Sequence, residues 1–147
     1  MYAYDSGEVM LDGGEINGYF YVAGNTQVTM SGGLVNCLHV DGSSRVTMSG
    51  GTVYHHSLRL ESNAILALDG SDFAIDENPF SVGEITSLLG SDYSQEPYRW
   101  LTGTLANGDI INNQFQIGNN AKIVLIPEPA TLFLLSLGGL ILRKRKE

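Results

Sequence analysis

FYVAGNTQVTM, residues 20–30, recurs with changed letters and an unchanged pattern as LHVDGSSRVTM (38–48), LRLESNAILAL (58–68) and FQIGNNAKIVL (115–125). Apolar residues hold positions 1, 3, 9 and 11 of every copy. Position 1 is Phe20, Leu38, Leu58 and Phe115; position 3 is Val22, Val40, Leu60 and Ile117. Position 9 is Val28, Val46, Leu66 and Ile123; position 11 is Met30, Met48, Leu68 and Leu125. A period of two marks a strand with one buried face. Between the apolar pairs lie Gly24-Asn25, Gly42-Ser43, Ser62-Asn63 and Asn119-Asn120, all turn formers. Each copy therefore reads as strand, turn, strand.

A second signature follows the copies: Ser31-Gly32-Gly33, Ser49-Gly50-Gly51 and Asp69-Gly70, with Asp12-Gly13-Gly14 ahead of the first. Short apolar strands such as Leu34-Val35 and Thr52-Val53 come next. Residues 1–11 fit the same unit, with Met1, Ala3, Val9 and Leu11 on the inward positions. Short strands and Gly corners recurring at about 19 residues predict stacked coils. The fold expected is all-β: a short right-handed parallel β-helix, or β-solenoid, with about 19-residue coils. A sandwich or a meander of hairpins gives no reason for an in-register repeat of eleven positions. Because the sequence starts inside a coil and lacks the basic and apolar regions of a signal peptide, a fragment of a longer solenoid is expected, its first coil an open, aggregation-prone edge.

Residues 74–114 interrupt the pattern. They are expected to form a small helical or irregular capping insertion, since terminal coils need covers. SVGEITSLL (81–89) predicts a short helix, with Ser81 as N-cap, Glu84 closing a capping box and Gly90 ending it. Leu101 to Leu105 reads as a strand, and Asn107-Gly108 or Gly108-Asp109 as a turn. The organisation expected is solenoid coils over 1–73, the insertion over 74–114, a final coil over 115–126 and a tail over 127–147.

The tail reads differently. Pro127-Glu128-Pro129 stops any ladder. A thirteen-residue uncharged run follows, residues 130–142, rich in Leu132, Phe133, Leu134, Leu135, Leu137, Leu140, Ile141 and Leu142 after Ala130. Arg143, Lys144, Arg145 and Lys146 close it. The run is apolar on every face save Thr131, Ser136, Gly138 and Gly139, whereas a core helix is amphipathic. Four cations resist crossing a bilayer, at about 2.5–3.5 kcal/mol each near a helix centre. As a single transmembrane helix it spans about 20 Å, short of the roughly 30 Å hydrocarbon core. A transient anchor with a cytoplasmic basic stop is expected.

PEPATLFLLSLGGLILRKRK (127–146) resembles the PEP-CTERM sorting signal of certain Gram-negative bacteria, with its Pro-Glu-Pro motif, short transmembrane segment and basic end in order. TGTLANGDIINNQFQIGNNAKIVLI (102–126) resembles the membrane-proximal end of PEP-CTERM surface proteins rich in solenoid repeats. The resemblance implies an exosortase-type membrane protease as partner, anchoring in the inner membrane, removal of the tail and passage to the cell surface or extracellular matrix. It implies location more than activity.

Composition narrows the rest. The chain has 147 residues and net charge −8. Outside residues 143–147 it holds four Lys/Arg against fifteen Asp/Glu, a net of −11. A body this acidic is a poor nucleic-acid partner. Cys37 alone forms no intrachain disulfide. His39, His55 and His56 with Cys37 match no zinc spacing, so no metal and no cofactor is expected. Asp12, Asp69, Asp72 and Asp76 are the carboxylates a β-helix lyase or glycosidase would draw on, but Asp12 and Asp69 fall where Ser31 and Ser49 stack, and a corner is the simpler reading. The expectation is a non-catalytic surface or matrix protein. The alternative is the end of a glycan-binding or polysaccharide-cleaving β-helix, for which a line of outward aromatics, drawn from Tyr19, Tyr21 and Tyr54, is the mark to look for.

Overall fold

A computed structural model describes residues 1–54, 57–80, 83–86 and 99–127. These form strands β1 (Tyr2–Ala3), β2 (Glu8–Val22), β3 (Gln27–Val40), β4 (Arg45–Val53), β5 (Ser57–Leu60), β6 (Ile65–Ile75), β7 (Asn78–Pro79), β8 (Gly83–Thr86), β9 (Arg99–Leu105), β10 (Ile110–Ile117) and β11 (Lys122–Pro127). The repeated units stack in parallel and in register. Val9, Val28, Val46, Leu66 and Ile123 lie one over the next, as do Leu11, Met30, Met48, Leu68 and Leu125. On the adjoining side Ala3, Val22, Val40, Leu60 and Ile117 form a third column. The result is a β-solenoid of about three turns with about 19-residue spacing, to which residues 115–125 add a fifth rung across the insertion.

The columns are the core. Phe20, Val22, Val40, Val46, Met48, Leu66, Leu68, Phe115, Ile117 and Ile123 have at most trace exposure. Each such side chain stabilises by about 1.5–3 kcal/mol relative to full exposure. Between the strands the turns stack too. Position 5 takes positive φ in every rung: Asp5 at 75°, Gly24 at 74°, Gly42 at 69°, Ser62 at 60° and Asn119 at 55°. Gly, Asn and Asp tolerate that region, and Ser less well. The next amides donate to the rung before, Asn25 to Asp5 O at 2.6 Å, Ser43 to Gly24 O at 2.8 Å, Asn63 to Gly42 O at 2.9 Å and Asn120 to Ser62 O at 2.9 Å. Small residues Thr26, Ser44, Ala64 and Ala121 fill the inside of the turn, all buried. The Thr26 hydroxyl donates to Ala23 O at 2.8 Å, so its polarity is satisfied.

At the top the regularity ends, and three expectations are corrected. Asp69-Gly70 is not a fourth stacked corner: Gly70 pairs with Leu105 in an antiparallel ladder of β6 with β9. Earlier corners turn left-handed at their second Gly, Gly33 at φ 89° and Gly51 at 94°. Ser71 stands at that place, a residue that resists positive φ, and the left-handed residue comes one later at Asp72, φ 54°. The corner over Gly50-Gly51 is instead covered by the β9–β10 loop. Asn107 N donates to Ser49 O at 2.9 Å, and Gly51 N donates to Asp109 Oδ2 at 2.6 Å.

The second correction concerns the short helix. Gly83–Thr86 is strand β8, antiparallel to β11, with Lys122 opposite Thr86 and Leu125 opposite Gly83. The open edge of β11 offers backbone partners that a short helix would leave unpaired. Ile85 is fully buried there, and Lys122 Nζ sits 2.6 Å from Glu84 Oε1. Ser81 and residues 87–90 of the expected helix lie outside the described residues. Strand β9 and the turn with Gly108 at φ 93° fall where the sequence put them.

Third, the aromatic candidates do not form one line. Tyr19 lies beside Cys37 in register, whereas Tyr54 donates its amide to Val35 O on another side of the coil, near Asn17 and Asn36.

Candidate functional site

Two regions carry chemistry. The first is the sorting segment. Strand β11 is the top rung, and Pro127 is its last residue, paired with Gly70. Glu128, Pro129, the apolar run 130–142 and the basic stop 143–146 lie outside the described residues. Among the described residues no helix is long and apolar enough to cross a membrane.

The second region is the outward face of the strands that precede the turns. Position 2 of successive rungs places Tyr2, Tyr21, His39, Arg59 and Gln116 in one column. Tyr2 and Tyr4 rings stack at 5.8 Å with planes 6° apart, and both tilt against Tyr21 at 6.1 and 5.7 Å. Tyr21 meets His39 edge-on at 4.6 Å. Reading position 2 down the aligned copies would have found this column; following only the inward positions missed Tyr2, His39, Arg59 and Gln116.

Asp41 organises the column from the turn. It accepts the Tyr21 hydroxyl at 2.8 Å, the Ser62 hydroxyl at 2.6 Å and the Gly42 amide at 2.6 Å. The Ser62 bond, with the Gly42 amide and Tyr21, holds its carboxyl below the usual carboxylate range against the opposing effect of burial. The same bond to Asp41, with burial, pushes the Tyr21 phenol up to about 12. Arg59 Nε donates to Glu61 at 2.7 Å. His39 Nε2 is buried without a hydrogen-bond partner among the described residues and lies 4.0 Å from Glu61 Oε2. Burial, then the nearby Arg59 cation, lowers its pKa. Beside this column Tyr19, Cys37, Ser57, Arg59, His39 and Gln116 line a cleft of about 430 Å³.

The carboxylates considered for catalysis have different surroundings: Asp69 Oδ1 is buried without a hydrogen-bond partner among the described residues, and Asp72 accepts the Ser71 hydroxyl at 3.3 Å. Asp76 accepts the Trp100 amide at 2.8 Å and Arg99 Nε at 2.5 Å, and these partners depress its pKa, the amide first. Asp12 is exposed in β2, opposite Gly32. Among the described residues no three His, Cys, Asp or Glu side chains converge on a metal position; His55 and His56 lie outside them. Trp100 is the second residue of β9, opposite Gln114.

Comparison with known families adds one match: the model of the PEP-CTERM protein-sorting motif fits residues 125–146. No curated protein and no solved structure matches the chain. The matched segment begins inside β11 and takes in every part of the tail singled out above, from Pro127 through the basic cluster. The chain thus carries a PEP-CTERM protein-sorting motif, the signal that directs exported proteins to an exosortase.

Proposed function

We propose that this chain is a non-catalytic surface or extracellular-matrix protein whose β-solenoid body is delivered by its sorting motif. In this reading residues 130–142 cross the inner membrane as a helix, and Arg143 to Lys146 hold the cytoplasmic side. An exosortase-type protease engages Pro127-Glu128-Pro129 and releases the body outward. The observation that carries it is positional: the sorting motif starts where the top rung ends, at Pro127 of β11. Strand β8 pairs along β11, so the rung that leads into the motif is not an open edge. The test is delivery. Fused behind an export signal in a host with an exosortase, the natural sequence reaches the surface and Pro127→Ala/Pro129→Ala stays in the inner membrane. Equal surface delivery of both would refute the reading.

A second reading, glycan binding by the body, is favoured by the column of Tyr2, Tyr21 and His39 with the adjoining cleft. Tyrosine rings offer an apolar face and a polar hydroxyl together, as a sugar contact needs, and the acidic body suits a neutral partner better than a polyanion.

A further inference from the structure

We propose that the cleft between Tyr19 and Gln116 binds a neutral polysaccharide strand lying along the solenoid axis, and binds it without cleaving it. This rests on the glycan reading and assigns its site and ligand class. The cleft runs across four rungs: Tyr19, then Cys37 and His39, then Ser57 and Arg59, then Gln116. At 4.7–4.9 Å per rung, three steps make about 14 Å. That is an elongated, regularly spaced site suited to a repeating polymer. Its volume of about 430 Å³ is in the range of small-ligand clefts.

The chemistry of the walls selects the class. Tyr19 is 68% exposed at one end, a ring face open for stacking. The Ser57 hydroxyl and Gln116 amide each donate and accept, matching sugar hydroxyls that do both. His39 Nε2 adds a buried polar atom with no hydrogen-bond partner among the described residues. Among the described residues that line the cleft Arg59 carries the positive charge, and its ion pair with Glu61 offsets that charge toward an acidic sugar. The net charge of −11 outside residues 143–147 repels polyanions. Among the described residues no carboxylate lines the cleft, and glycoside cleavage draws on a pair of them. The middle strands of the cleft, β3 and β5, are held by ladders on both sides, so binding orders little of their backbone.

The test is affinity electrophoresis and titration of the full chain in detergent micelles against soluble dextran, mannan and a β-1,3-glucan, with alginate as the polyanion. The expected result is retardation by at least one neutral glycan, with no change in its chain length and weaker retardation by alginate. Tyr19→Ala and Gln116→Ala weaken it about tenfold. Tyr19→Phe, which keeps the ring, and Tyr54→Ala, on another side of the coil, leave it within twofold. No retardation by any neutral glycan would overturn both the site and the glycan reading. Retardation undiminished in Tyr19→Ala and Gln116→Ala would overturn the site alone. Preference for alginate would overturn the ligand class, and shortening of the glycan the claim of binding without cleavage.

Discussion

Residues 57–68 and residues 69–113 follow one another along the chain and obey different rules. In the first, every rung copies its neighbour: parallel strands, Leu58 over Leu38, Leu66 over Val46, a left-handed residue at Ser62 over Gly42. In the second, strands run antiparallel, β6 with β9 and β9 with β10, and each contact is made once. Repetition lets one inward position report on all its equivalents. Non-repetition makes every contact a separate event, held by particular groups such as Asn107 on Ser31 O and Asp76 on the Trp100 amide. The stack supplies most of the core, and the second region adds Phe73, Ile75, Ile85, Leu101, Leu105 and Ile111 to it.

The largest effect should come from the stack. Phe115 is fully buried, joining rung five to Leu58 below. Phe115→Ala should cost about 3–5 kcal/mol, read from urea unfolding. Because Phe115 also pairs with Arg99 of β9, the variant should loosen insertion and stack together. A cost under 1 kcal/mol would mean that rung five is not docked.

Gly42→Ala is next. A Cβ there would meet Gly24 O at 2.8 Å and would sit at φ 69°. A left-handed non-Gly residue costs about 1–2 kcal/mol before the backbone contact is relieved. Gly108→Ala shares the positive φ, at 93°, but meets open space in the β9–β10 loop. The stacked turn should therefore suffer more than the insertion loop, as thermal unfolding of the pair would reveal.

Asn107→Ala probes the seam between the two regions. Asn107 Nδ2 reaches Ser31 O at 3.2 Å and Asp109 Oδ2 at 2.7 Å, and its Oδ1 accepts the Asp109 amide at 2.9 Å. Losing these exposed bonds should cost about 1 kcal/mol. Faster proteolysis at residues 106–109 should accompany it, with little change in the stack's hydrogen exchange.

The smallest effect is in pH. Asp41 is depressed in the folded state, chiefly by Ser62, so the stability it contributes is present above its unfolded pKa of about 3.8 and is lost as pH falls through the folded value. Tyr21 is raised, so its share is complete below about 10 and lost as pH climbs through about 12. Asp41→Asn should flatten the acid limb of stability against pH; a limb unchanged in slope would remove Asp41 from the account.

Much of the stack was legible because it is written five times. The inward positions and the Gly-Asn turns needed only alignment of the copies with one another. The strand Leu101 to Leu105 and the turn at Gly108 were legible from local pattern. Strand β8 was not. Ser81 and Glu84 carry a local helix signal, while the partner that makes Gly83–Thr86 a strand is the edge of β11, distant in sequence. The displaced corner at Asp72 turned on one missing glycine, at Ser71. The outward column was legible only at Tyr21, because solvent-facing positions obey no hydrophobic period; Tyr21, His39 and Arg59 come together only once the rungs are superposed. The sorting motif was legible in full because its parts are contiguous.

The central claim is that residues 115–125 dock as the fifth rung, placing the sorting motif at the end of the stack. Arg59 and Gln116 face each other in that register. With Cys37 replaced by Ser, the pair Arg59→Cys/Gln116→Cys should close an intrachain disulfide on mild oxidation, since parallel neighbours fall within disulfide reach. The control Arg59→Cys/Gln114→Cys, two residues out of register, should stay reduced. Equal cross-linking of the two, or cross-linking of the control alone, would contradict the stacked register.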